Sequence, residues 1–432
     1  MGFYDLTAVL ITLAAFFSYV NYRSIRLPTT IGLMAMSLAM SLGLLFLGGT
    51  GLLQLQDQVA YLLEQMNFHD TLMHGMLSFL LFAGAQHVNF SDLLSRKWII
   101  SLLATGGVVV STFLVGGLTW MTLHFLGLDL PPIYCLLFGA LISPTDPIAV
   151  LGIMKKAGAP KDLETTMAGE SLFNDGMGVV VFLAMLSILH EGGAPDVKEL
   201  GKLLVLEAGG GLLFGTALGY LCYQMLKRVD KYQVEVLITL ATVVGGYRLA
   251  ELIHVSAPLA IVAAGLLVGN HGRHFGMSPL TRRHLDSFWE LIDEVLNAVL
   301  FVLIGLEVLI LPHDMRYIVA TLVLIPLVLL ARYLSVAAGV KALQARLHFR
   351  RGTIRILTWG GLRGGISVAL ALSLPAGPER NALVTITYGI MAFSILVQGL
   401  TIGKMVSRFV GEVNDEQEDT GDDNSGEPPD VH

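Results

Sequence analysis

The sequence predicts an all-α polytopic membrane protein of about 13 transmembrane helices, built as inverted repeats with two broken helices that cross. Three observations carry this. Of 432 residues, 54% are hydrophobic and 14% charged, where soluble domains hold about 25% charged residues. Apolar runs near the length needed to cross a bilayer core, about 20 residues, recur along the chain, and mean hydropathy is +0.68. Two runs are interrupted by prolines or glycines around a charged side chain. Such a composition excludes a soluble globular domain, a disordered chain and a nucleic-acid-binding protein with a basic face. Cys135 and Cys222 both sit in apolar runs, which argues against a disulfide framework and for packing roles.

In chain order the spans fall at approximately 5–22, 29–47, 71–88, 98–126, 131–154, 167–190, 201–225, 233–253, 257–270, 286–310, 315–340, 354–375 and 383–407. The first reads as a span and not a signal peptide, because no basic stretch precedes it and no Ala-x-Ala-like site follows. Leu6 stands where a myristoylation signal carries Ser or Thr. Of the 27 Lys and Arg, 20 lie in the alternate loops that begin after span 1 or at the span ends beside them, 4 in or beside the other set, and Arg248, Arg332 and Arg363 inside spans. By the positive-inside rule the N-terminus is outside and the C-terminus cytoplasmic, in an inner or plasma membrane. Residues 1–410 form the membrane unit. Residues 411–432 hold 9 Asp or Glu and no Lys or Arg, and account for the net charge of −7. That tail cannot bury a core and is expected to be disordered.

Span 5 carries Ser143-Pro144-Thr145-Asp146-Pro147. Its prolines remove two backbone donors and clash with the preceding turn, so the helix breaks there. Broken backbone at membrane depth is tolerated where it lines a cavity or is re-bonded by protein, and Asp146 lies inside the break. Span 6 opens with Gly169-Glu170-Ser171-Leu172-Phe173-Asn174-Asp175-Gly176. Glu170 and Asn174 share one helix face, Ser171 and Asp175 the next. Charges at bilayer depth cost at least a few kcal/mol and mark function by default. Carboxylates from two helices supply the oxygen ligands that hard cations prefer. A carboxylate held away from water also takes a proton more readily, so proton and cation compete for one site.

Span 7 carries Gly211, Gly215 and Gly219, a small-residue face for helix packing. Glu207, Glu235, Glu251, Asn297 and Glu307 lie within or at the ends of spans, with Glu251 and Asn297 of most interest. His271, His274 and His284 fall in a basic loop and read as solvated. In span 12, Trp359-Gly360-Gly361-Leu362-Arg363-Gly364-Gly365-Ile366 surrounds one Arg with four glycines, a weak helix that admits close backbone approach. Arg363 keeps its proton and needs a buried anion; Glu170 is the expected partner. Spans 5 and 12 are thus both interrupted, as in repeats whose broken helices meet at the midplane.

At Ser143 to Pro147, Gly169 to Asp175 and Gly360 to Gly364 the sequence resembles the monovalent cation:proton antiporter family that contains the bacterial, archaeal and animal sodium/proton exchangers. Residues 255–269 and Phe301 to Leu306 also look like family segments. The resemblance implies thirteen helices in a dimerisation domain and a core domain, assembled as a homodimer. It implies Asp175 as the main cation and proton carrier. Asp146, Thr145 and Ser171 would complete a sodium site, and Glu170 and Arg363 would form a structural ion pair. Asn174 stands where the electrogenic branch carries a second Asp, which implies electroneutral exchange of one cation for one proton. One departure is Leu81-Phe82-Ala83-Gly84, where many relatives carry a Glu at the position of Ala83. Membrane lipid is the other expected partner, and no cofactor or nucleic acid is expected. The competing readings are a potassium/proton antiporter with the same mechanism, an intramembrane aspartyl protease built on two Asp in neighbouring spans, and a channel.

Overall fold

The computed structural model describes residues 3–47, 68–146, 148–191, 197–272, 277–312 and 314–409. The predicted tail, Pro147 and His274 lie outside these residues. Among them the chain is helical and forms no β-strand, and helix underlies every stretch marked by hydropathy.

Helix α1 (Phe3–Val20) continues through a π-helical turn to Ile25, and α2 spans Thr29–Leu47. Helical residues Phe68–Asp70 and Thr71–Met76 lead into α3 (Leu77–His87). Lys97–Ser101 and Leu102–Gly107 lead into α4 (Val108–Phe125). Span 5 is two pieces, α5 (Pro132–Ile142) and α6 (Ile148–Lys156). Four long helices and one short one follow: α7 (Lys161–Glu191), α8 (Val197–Leu226), α9 (Tyr232–Leu252), α10 (Ala257–Leu267) and α11 (Pro279–Glu307). Then come α12 (Met315–Leu343), the two pieces of span 12, α13 (Thr353–Trp359) and α14 (Gly365–Leu372), and α15 (Pro378–Phe393), whose helix runs on to Phe409.

Among the described residues, seven helices are long and apolar enough to cross a membrane by length and composition. The pieces of spans 5 and 12 are not. α5 has 11 residues and at 1.5 Å per residue is about 16 Å long, near half of a bilayer core. Each break therefore sits deep in the protein, where its free backbone groups need partners.

α7 is the most buried of the seven long helices, and it packs against α5, α8 and α10. A helix carrying so many polar groups is stable there because its neighbours satisfy them. α8 lies close along α10 through the glycine face. A Cβ at Gly215 would come within 2.1 Å of the Ala260 carbonyl oxygen, so the small residues set that approach. α2 is bonded to α11 by Ser37, whose hydroxyl donates to the Phe301 carbonyl at 3.3 Å, and by Ser41, which donates to that of Gly305 at 2.8 Å.

Candidate cation site

The two breaks meet. The Asp146 N–H donates to the Leu362 carbonyl at 2.8 Å, an isolated antiparallel bridge between the unwound segments. A Cβ at Gly364 would lie 2.7 Å from the Asp146 Cβ and 2.8 Å from its Oδ2, so the side chain of Asp146 occupies the space that glycine leaves. Here the glycine-rich sequence of span 12 serves close approach, as its composition predicts.

Arg363 does not pair directly with Glu170, and that expectation is corrected. Its Nη1 donates to the carbonyls of Ser143 at 2.7 Å and Pro144 at 3.1 Å. It thereby binds the two carbonyls just past the end of α5, where a cation also meets the negative end of the helix dipole. Glu170 instead receives Arg332 from α12, with Nη1 at 2.5 Å from Oε1 and Nη2 at 2.9 Å from Oε2. The pair is bidentate and buried, with Glu170 0% and Arg332 6% exposed. The physical reason is reach. α12 runs beside α13, where Arg332 also donates to the Leu357 carbonyl, while Arg363 is committed to the broken end of α5. Arg332 sits well inside an apolar 29-residue helix, too deep to reach headgroups, and this was the available sequence signal.

The structure brings Thr145, Ser171 and Asn174 together. The Thr145 N–H donates to Asn174 Oδ1 at 3.2 Å, Asn174 Nδ2 donates to Thr145 Oγ1 at 2.9 Å, and the Thr145 and Ser171 hydroxyls are 3.0 Å apart. All three residues are 1% exposed. Asn174 thus replaces the helical hydrogen bonding lost at the Pro144 break.

Asp146 and Asp175 line one cavity of about 100 Å³, together with Pro144, Gly364 and leucines of α3. At about 30 Å³ per water this holds roughly three water-sized species, enough for a cation that keeps part of its shell. Three further polar residues line the same cavity: Asp293 and Asn297 on α11 and Ser367 on α14. Asn297 was anticipated; Asp293 and Ser367 were missed. Glu251 is elsewhere, with its carboxylate 2.9 Å from Arg248 Nη1 and 3.1 Å from His74 Nε2. Ala83 is fully buried, and the neighbour that lines the cavity is Gly84.

Broken helices bonded across their breaks, around two carboxylates in a small cavity, define a multi-pass membrane transporter for a cation. The chain belongs to the sodium/hydrogen exchanger family, whose transmembrane region matches residues 11–408. It is 54% identical over 409 residues to the Na(+)/H(+) antiporter NhaP of Pseudomonas aeruginosa, covering 94% of this chain and 96% of that one. It is 35% identical to the Na(+)/H(+) antiporter NhaH of Halobacillus dabanensis, covering 86% and 91%. The fold matches the sodium proton antiporter MjNhaP1 of Methanocaldococcus jannaschii with a TM-score of 0.73 at 20% identity, over 95% of this chain and 99% of that one.

Proposed function

We propose that this protein exchanges one sodium or lithium ion for one proton across a plasma or inner membrane, by alternating access and without net charge movement. It is a secondary transporter and not an enzyme, which removes the protease reading. The observation that carries the proposal is the shared cavity of Asp146 and Asp175. Asp175 is the carrier, holding either the cation or the proton. Thr145 and Ser171 exchange their mutual hydrogen bond for the cation when it arrives. Asn174, occupied with the Thr145 backbone, contributes no charge, so one carboxylate titrates per cycle. The Glu170–Arg332 pair cancels its own charge beside the site and adds none to the stoichiometry.

Sodium is preferred over potassium in this reading because the NhaP and NhaH relatives carry the Na(+)/H(+) antiporter name. The N-terminus lies outside and the C-terminus in the cytoplasm, following the basic loops. The working unit is a homodimer in lipid. Exposed apolar side chains on α1 (Phe16) and α8 (Leu213) support these faces meeting lipid or a second copy.

The test is collapse of a pre-set pH gradient in proteoliposomes on adding sodium, lithium or potassium, with and without a voltage clamp by valinomycin. Potassium is left out of the clamp when it is the test ion. Wild type collapses the gradient with sodium at a rate the clamp does not change, and Asp175→Asn is inactive. A fully active Asp175→Asn overturns the site, a clamp-sensitive rate overturns the stoichiometry, and activity with potassium alone overturns the ion.

A further inference from the structure

The cavity has a second polar wall that the site above does not use. Asp293 and Asn297 are one helical turn apart on α11, so their side chains are neighbours, and Ser367 reaches the same space from α14. Asp293 and Asn297 interact with each other, yet Asp293 Oδ1, Asn297 Oδ1 and Nδ2 and Ser367 Oγ are buried without a well-formed hydrogen bond. Asn297 is 3% exposed and Ser367 1%. Apart from Asp146 and Asp175, the rest of the wall is leucine, isoleucine, proline and glycine. Buried polar groups left without good partners are costly, and oxygens from three residues facing one small space call for a ligand that satisfies them together.

The ligand's chemistry follows from the donor set. One carboxylate oxygen, one amide oxygen and one hydroxyl oxygen suit a hard cation. Asp293 also lies within electrostatic range of Asp146, so a cation between them relieves their repulsion. Along α11, Asp286, Glu290, Asp293 and Asn297 follow a spacing of four, three and four, which puts them on one helix face. From Glu290 onward exposure falls along it, with Glu290 exposed, Asp293 half-buried and Asn297 buried.

We propose that Asp293, Asn297 and Ser367 form a second monovalent-cation subsite, where sodium rests, partly hydrated, before passing to Asp175. The inference rests on the exchanger reading above. Asp293 is a positioning ligand for the incoming ion and takes no part in carrying the proton.

Its test uses the full chain in proteoliposomes, measuring rate against sodium concentration at fixed pH. Losing one charge-assisted contact predicts that Asp293→Asn raises half-saturating sodium about tenfold. The maximal rate falls much less, by about threefold at most on the same reasoning. Asn297→Ala and Ser367→Ala raise half-saturation in the same direction. Asp293→Glu restores most of the affinity. Glu294→Gln, which removes the same charge from an exposed neighbour on α11, leaves half-saturation within about twofold of wild type, as screening of an exposed charge requires. If Asp293→Asn lowers the maximal rate with unchanged half-saturation, or Glu294→Gln has an equal effect, the subsite is overturned. If Asp293→Asn fails to fold, Asn297→Ala and Ser367→Ala decide by the same shift. Asp175→Asn run in parallel separates the two ideas. An inactive Asp175→Asn with unshifted Asp293→Asn ends the subsite and keeps the exchanger; an active Asp175→Asn ends the exchanger site itself.

Discussion

Replacing Arg332 with Met leaves the Glu170 carboxylate, 0% exposed and held by both guanidinium Nη atoms, without its buried counter-charge. Breaking a buried ion pair from one side costs about 3–5 kcal/mol, since the remaining charge is uncompensated. Replacing both partners removes that penalty, so Glu170→Gln combined with Arg332→Met is much less damaging than the sum of the single changes. A double-mutant cycle therefore gives a Glu170–Arg332 coupling of about 2–3 kcal/mol. Arg363 acts on Glu170 through space, but its own bonds go to the Ser143 and Pro144 carbonyls. The cycle of Glu170→Gln with Arg363→Met is then smaller, under about 1 kcal/mol. The assay is equilibrium unfolding of the purified protein by sodium dodecyl sulfate in mixed micelles, followed by tryptophan fluorescence and far-ultraviolet circular dichroism. Equal couplings for the two arginines, or a larger one for Arg363, would refute the assignment of Arg332 as the partner.

Two other substitutions probe the crossing and the packing. Gly364→Ala drives a methyl group to within 2.8 Å of the Asp146 carboxylate. It lowers sodium-driven exchange at least about tenfold, because a displacement near 1 Å at a binding carboxylate is costly, while the purified protein keeps its wild-type elution volume on size exclusion. Gly215→Val places branched carbons against the Ala260 carbonyl, which Cβ alone would approach at 2.1 Å; separating α8 from α10 destabilises by about 1–3 kcal/mol, read as a lower midpoint in thermal unfolding.

Much of this molecule was legible from residues alone, for physical reasons. A bilayer core demands long apolar helices, so hydropathy marks them without ambiguity in stretches such as Met315–Leu343. A lone proline such as Pro326 leaves α12 continuous, but two prolines three residues apart break span 5, and Asp146 inside the break announces a site. What hydropathy cannot supply is rotation about a helix axis. Two arginines stood inside spans beyond span 8, and nothing in their spacing says which faces Glu170. Arg363 looked the better candidate because glycines surround it, yet those glycines bring its backbone to Asp146 and its side chain to the end of α5. Asp293 was hidden for the opposite reason. Flanked by Glu290 and Glu294, it looks like part of a solvated acidic face, and only the spacing from Asp286 to Asn297 shows that one edge of that face turns inward.

The contacts that close the two breaks join distant parts of the sequence: Arg363 and Ser143 are 220 positions apart. A chain inserted from its N-terminus therefore carries an incomplete span 5 for most of its synthesis. Until the glycine-rich segment emerges, the Asp146 N–H and the Ser143 and Pro144 carbonyls lack their final partners inside the bilayer. The crossing of the two breaks cannot form until span 12 has been made. A ribosome-bound chain halted before residue 353 should thus be held by the insertion machinery with α5 exposed to water or lipid headgroups. Assembly of the site waits on the arrival of one short segment, so a substitution near Leu362 is expected to lower the amount of protein that reaches the membrane more than one of equal size on a lipid-facing helix surface.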